Sequence, residues 1–181
     1  MIDLAKSILP QSITVGGVYY PIKTGFKNIL AFQRMLKDNA SLNELDFIYV
    51  SSIPYNRQAG VIAICDFINC KNELPRSIES GINEPVIDYD IDSDYIYAAF
   101  LEQYGIDLIT TNLHWHVFSA LLHGLHDTEL NRIISHRLWK PSGQKETEYD
   151  RYQRRQHEAW RLPDRTDNQP DEAAEDFLRK L

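Results

Sequence analysis

Residues 113–126 read LHWHVFSALLHGLH, and four of the six histidines in the chain fall within them. At about 100° per residue, a helix here gathers Leu113, Val117, Phe118, Leu121, Leu122 and Leu125 on one half of its circumference. Trp115, His116, Ser119, His123 and His126 fill the other half, while His114 points into the apolar arc. Thr111 is the expected cap. The leucine side belongs in a core, so this stretch reads as one wall of a helical fold.

The polar half admits three readings: a metal site, a half-polar rim, or an aromatic interface in which Trp115, His116 and His123 meet another protein. The metal reading fits worst. His116 and His123 are seven residues apart, about 10.5 Å of helical rise, and cannot share one tetrahedral centre. His123 and His126 are closer, but Gly124 lies between them and no HExxH or CxxC spacing supplies further ligands. No metal or other cofactor is expected.

Outward from this stretch the pattern stays helical. SITVGGVYYPIK, residues 12–23, alternates on both sides of Gly16-Gly17 and predicts a β-hairpin. Thr24 is placed to cap a helix carrying Phe26, Ile29, Leu30 and Leu36, and Ser41 opens a second one reaching Val50. Pro54 suits a first helical position, and the run from Tyr55 to Cys70 is apolar around most of its circumference, which predicts the centre of the core. Ser93–Tyr104 reads as an acid-capped helix stopped at Gly105. Asp127–Trp139 and residues 145–161 follow, the last with Tyr149, Tyr152 and Trp160 along one face.

The expected architecture is mainly α: a single helical domain over residues 1–163, of about six helices, with the hairpin at its N-terminus. Residues 72–91 lose periodicity, gain Pro75, Gly81 and Pro85, and predict an acidic surface loop. Residues 164–181 predict a mobile polar tail whose end carries Phe177, Leu178 and Leu181 as a short apolar turn.

The net charge is −7, but it is unevenly spread: Glu73 to Asp94 holds seven acids against Arg76, and Arg132 to Arg165 holds nine basic residues against five acids. Arg151, Arg154, Arg155 and Arg161 interleave with rings, as in single-strand binders. Glu146, Glu148, Asp150 and Glu158 share that helix, so the charges read as a solvated face with intrahelical pairs, and nucleic acid is not the expected partner. The run DYDIDSD, Asp88–Asp94, spaces carboxylates like a calcium loop but has Ser93 where glycine is required and Ala99 where a bidentate glutamate is required. It reads as a solvated acidic loop leading into a helix. No GxSxG and no phosphate-cradling glycine loop occurs, so catalytic residues are not expected. Cys65 and Cys70 fall on different faces of one helix, which suits a reducing cytoplasm better than a disulfide. No signal peptide or membrane span is expected.

YIYAAFLEQYGIDL followed by LHWHVFSALLHGL, within Asp94–Leu125, resembles the core signature of a bacteriophage tail-region family labelled gene product fifteen. LPQSITVGGVYYPIKTGFKNILAF resembles its opening hairpin and helix, RIISHRLW its next helix, and YDRYQRRQHEAWRLPD its closing basic-aromatic helix. One departure is local: where the family has two adjacent tryptophans and a lysine, this chain has Trp115, His116 and Val117. The resemblance implies a tail assembly chaperone or morphogenesis factor, without catalysis, in the host bacterial cytoplasm. It further implies that the tape measure protein and other tail assembly chaperone chains are partners, in a homo- or hetero-oligomer. A structural tail component, or a metal- or nucleic-acid-binding phage protein, is the alternative. Candidate partner-binding residues are Trp115, His116, His123, Tyr149, Tyr152, Trp160, Phe177, Leu178 and Leu181.

Overall fold

Gly16 and Gly17 turn the chain with φ of 56° and 80°, the pair of positive values that a two-residue hairpin turn of the strands' own twist demands. The hairpin they close pairs β1 (Ser12–Val15) antiparallel with β2 (Val18–Pro21), in a register that sets Val15 opposite Val18 and Ile13 opposite Tyr20. The computed structural model describes residues 5, 8–69, 86–141 and 147–163. Seven α-helices follow the hairpin among these residues: α1 (Phe26–Lys37), α2 (Leu42–Leu45), α3 (Arg57–Ile68), α4 (Ser93–Tyr104), α5 (Trp115–Gly124), α6 (Glu129–Leu138) and α7 (Glu148–Trp160). The fold is mainly helical with an N-terminal two-stranded hairpin. Its contacts group into two compact units. Among the described residues, the first runs through Asn69 and includes Asn112–Ala120, and the second holds 86–111 and 121–163.

In the first unit, the predicted capping role of Thr24 is not the one observed. Gly25 is the N-cap of α1 and gives no side-chain cap bond, while the Thr24 hydroxyl donates to Gln11 Oε1 at 3.0 Å. Backbone replaces the cap: Phe26 N–H donates to the Leu113 carbonyl at 2.8 Å and Trp115 N–H donates to the Thr24 carbonyl at 2.7 Å. These orphan helix donors are satisfied by a passing chain instead of a hydroxyl. The same exchange holds 112–114 extended, so α5 begins at Trp115 and not at Thr111.

Ser41 caps α2 as expected, its hydroxyl accepting from Glu44 N–H while Glu44 Oε2 accepts from Ser41 N–H at 2.7 Å. The expected continuation to Val50 is cut short. After a 3-10 turn over Asp46–Ile48, Lys23 N–H donates to the Ile48 carbonyl and Val50 N–H to that of Pro21, which pulls Tyr49 into an extended bridge with Ile22. Asn56, not Pro54, opens α3, accepting from Ala59 N–H at 3.0 Å; Pro54 is buried in the preceding turn. Gly60, Val61, Ile64 and Ile68 make the buried stripe of α3, and Ile62 is 47% exposed. The core of this unit joins them to Ile29, Phe32, Ile48 and Phe118, with Phe26 and Phe118 stacked at 4.6 Å.

The second unit centres on Phe100, Leu130 and Ile133. Gly105 ends α4 in the left-handed region at φ 64°, as predicted. The acid expected to cap α4 does something else: Asp92 makes no side-chain cap bond and is 1% exposed. The expected solvated character of the acidic run is likewise corrected at Asp88, 6% exposed, whose Oδ1 accepts from Asp90 and Ile91 N–H. Residues 72–85 of the acidic loop lie outside the described residues, as do Cys70, 142–146 and the tail from 164. Capping boxes open α6 (Thr128 with Asn131) and α7 (Thr147 with Asp150).

Candidate functional site

α5 starts at Trp115, after an extended segment paired with the chain at Thr24–Phe26. Trp115 is 3% exposed and His116 is 4% exposed, so the expectation that both stand on a non-core face is corrected. Their polar atoms have a definite task. Trp115 Nε1–H donates to the Ile68 carbonyl at 2.9 Å, and His116 Nε2 meets the Phe67 carbonyl at 3.0 Å. These carbonyls belong to the last turn of α3, beyond the reach of the regular i→i+4 ladder. Trp115 and His116 therefore cap α3 from a distant part of the chain, and the His116 ring also stacks on Phe67 at 4.5 Å.

His114 completes the cluster. Its Nδ1 accepts from His116 N–H at 3.1 Å and its Nε2 lies 2.8 Å from the Pro10 carbonyl. A carbonyl oxygen only accepts, so Nε2 carries the proton and Nδ1 cannot, which fixes the neutral ring. Burial pushes the proton affinity of both His114 and His116 below the ordinary value, outweighing the opposing pull of the carbonyl each ring faces. The rings sit 5.0 Å apart, each with its Nε2 turned to a backbone carbonyl. Among the described residues, no group of three or more His, Cys, Asp or Glu is placed to hold a metal ion.

The remaining described candidates belong to the second unit. His123 is exposed on α5; its neighbour His126 lies 2.7 Å from Gln103 Nε2 through Nδ1. Tyr149 and Tyr152 are 66% and 47% exposed on α7, and Trp160 is half-buried with its ring edge-on to Tyr95 at 5.9 Å. None of the residues of α7 is buried. The helix is held through its polar side instead: His157 Nδ1 meets the His136 carbonyl at 3.0 Å, Gln153 Oε1 meets His136 Nδ1 at 3.2 Å, and Arg137 Nε donates to the Trp160 carbonyl at 2.8 Å. Phe177, Leu178 and Leu181 lie outside the described residues.

Arg137 was not singled out by the sequence, yet it organises this unit. Its guanidinium grips Asp92 with two bonds of 2.7 and 2.8 Å, donates to the Val86 carbonyl at 2.9 Å, and reaches α7 through Nε. Ion and partner are 7% and 1% exposed, so every donor and lone pair has to be used for the pair to survive burial. Forty-five residues separate them, and no local pattern signals the pairing. Exposed apolar side chains were also missed in the first unit: Val18, Tyr19, Val50 and Tyr55 are 53%, 72%, 62% and 103% exposed.

A family model described as Bacteriophage Gp15 protein matches residues 5–162. No curated protein and no solved structure matches the chain. No described helix is long and apolar enough to cross a membrane.

Proposed function

The chain belongs to the Bacteriophage Gp15 protein family, and from that premise we propose that it is a tail assembly chaperone. In this reading it binds the tape measure protein and keeps it from aggregating until tail tube subunits polymerise around it. The observation that carries the reading is α7, a thirteen-residue helix with no buried residue that holds Tyr149 and Tyr152 open to solvent. A holder of a long apolar helix needs rings that can cover apolar side chains while charges nearby keep the complex dispersed. Arg151, Arg154, Arg155, Glu148 and Glu158 supply such charges around the rings. Trp160 offers the edge of a further ring, and His123 stands exposed on α5. Trp115 and His116 are left out of the gripping surface, because reaching a client would cost the caps on α3.

Co-expression with the tape-measure gene of the same phage tests the proposal. The tape measure moves into the soluble fraction and co-purifies with this chain. An equally insoluble tape measure with nothing co-purifying overturns the reading. Mass spectrometry of purified virions separates a chaperone, absent from the particle, from a retained tail component.

A further inference from the structure

The second unit exposes two helix faces of opposite chemistry. On α4 and the turn before it, Ile91, Asp94, Ala98, Leu101 and Glu102 are all exposed, and their spacing sets them along one side of the helix. Ile91 is 51% exposed and Leu101 45% exposed, so this is an apolar strip edged by carboxylates. On α7, Arg151, Tyr152, Arg155 and Ala159 recur at helical spacing on the side turned away from Gln153, His157 and Trp160, which make its contacts. That strip is aromatic and edged by guanidinium groups, with Glu148 and Glu158 at its two ends. The strips are about 16 and 12 Å long at 1.5 Å per residue.

We propose that the α7 strip of one copy docks on the α4 strip of a second copy. Arg151 and Arg155 meet Asp94 and Glu102, and Tyr152 covers Leu101. The charge pattern selects this occupant. A protein of net charge −7 with glutamates at both ends of its basic strip is a poor match for a continuous phosphate backbone, but it matches its own acidic, apolar strip. The two faces differ, so each copy can give one and receive one, and association runs head to tail into a ring or an open row unless two copies satisfy each other. A single helix-on-helix contact buries much less than the roughly 1,000 Å² of a stable interface, so the free contact is weak. A copy whose Tyr152 is docked on a neighbour keeps Tyr149, about 60° further round α7, for a client, and copies held along one client raise the effective concentration of the contact. The proposal takes its purpose, though not its evidence, from the client-holding reading.

The test is light scattering on the full chain across concentration and salt, with two variants. Arg151→Glu with Arg155→Glu makes the α7 strip acidic. Asp94→Asn with Glu102→Arg makes the α4 strip basic while keeping a cation out of the first turn of α4. The unaltered chain associates as concentration rises and dissociates in salt; each variant shifts the midpoint upward about tenfold or more. An equal mixture of the two associates again, because each now carries the strip that the other lacks. Should either variant lose helical circular dichroism, Tyr152→Ser and Leu101→Ser repeat the test without charge change, and each weakens association. A chain that stays monomeric at every concentration, or a mixture no more associated than its components, overturns the proposal. So does retention of a single-stranded oligonucleotide by Arg151 and Arg155 without self-association. Client solubility measured in parallel separates this result from the chaperone reading, since a monomer can still hold a client.

Discussion

Trp115 and Trp160 each lie on a helix that also carries a histidine, at 116 and at 157, yet they end in different surroundings. Trp115 is 3% exposed, donates to the last turn of α3, and shares the first unit's core with Phe118. Trp160 is half-buried at the end of a helix with no buried residue. The difference follows from what each segment is asked to satisfy. The chain at 112–116 supplies hydrogen bonds that both α1 and α3 lack at their ends, so it is drawn inside. α7 satisfies its own N-terminus with the Thr147–Asp150 box and is met by Arg137, His136, Trp139 and Tyr95 without burying any of its residues. One segment is structural because its polar atoms are committed; the other keeps a face open to solvent.

The contrast can be broken at several points. Trp115→Ala removes a buried indole and uncaps Ile68, and is expected to cost about 3–5 kcal/mol in urea unfolding. Arg137→Ala leaves Asp92 charged and buried and is expected to cost about 3–5 kcal/mol, with α7 losing amide protection in hydrogen exchange before the rest of the second unit. Little loss in the second variant would show that the buried ion pair is dispensable.

Gly60 sharpens the packing side of the comparison. A Cβ there would sit 2.3 Å from Tyr49 Oη and 3.2 Å from Pro54 Cγ, so the hydroxyl is the main obstacle and the proline ring a smaller second one. Gly60→Ala is expected to cost about 1–3 kcal/mol, and much of that returns in the double variant with Tyr49→Phe. The same hydroxyl is buried without a hydrogen-bond partner among the described residues, and burial pushes its pKa up to about 12.

Acid acts on the first unit through His114 and His116. Folding lowers their proton affinity, so the unfolded chain is the better proton binder as pH falls. Their contribution is whole above the ordinary value of 6.5 and is lost as pH drops below it toward the lowered folded values. Unfolding midpoints measured at pH 7.5 and pH 5 should fall on acidification, and the drop should shrink in His114→Gln. A drop of the same size in that variant would place the acid sensitivity elsewhere.

Much of the architecture was legible because it is written locally. The Gly16-Gly17 turn, the Ser41 cap, the Ser93–Tyr104 helix and its stop at Gly105 depend on residues a few positions apart. What depended on distant partners was not. The start of α5 is set by backbone exchange with Thr24 and Phe26, and the two expected surface residues, Trp115 and His116, are held inward by the Ile68 and Phe67 carbonyls, nearly fifty residues away in sequence. Asp92 reads as a helix cap until Arg137 is seen to claim it. At the candidate site, the exposed Tyr149 and Tyr152 were readable from the polarity of their own helix, whose capping box and charges leave no apolar stripe to bury.

The smallest expected change in stability belongs to the measurement that matters most. Tyr149→Ala with Tyr152→Ala should alter the unfolding free energy by no more than about 0.5 kcal/mol per site. In co-expression with the tape-measure gene, the same double variant should lose most of the co-purifying tape measure that the unaltered chain retains. Equal recovery of tape measure by the variant and the unaltered chain would contradict the assignment of α7 as the gripping face.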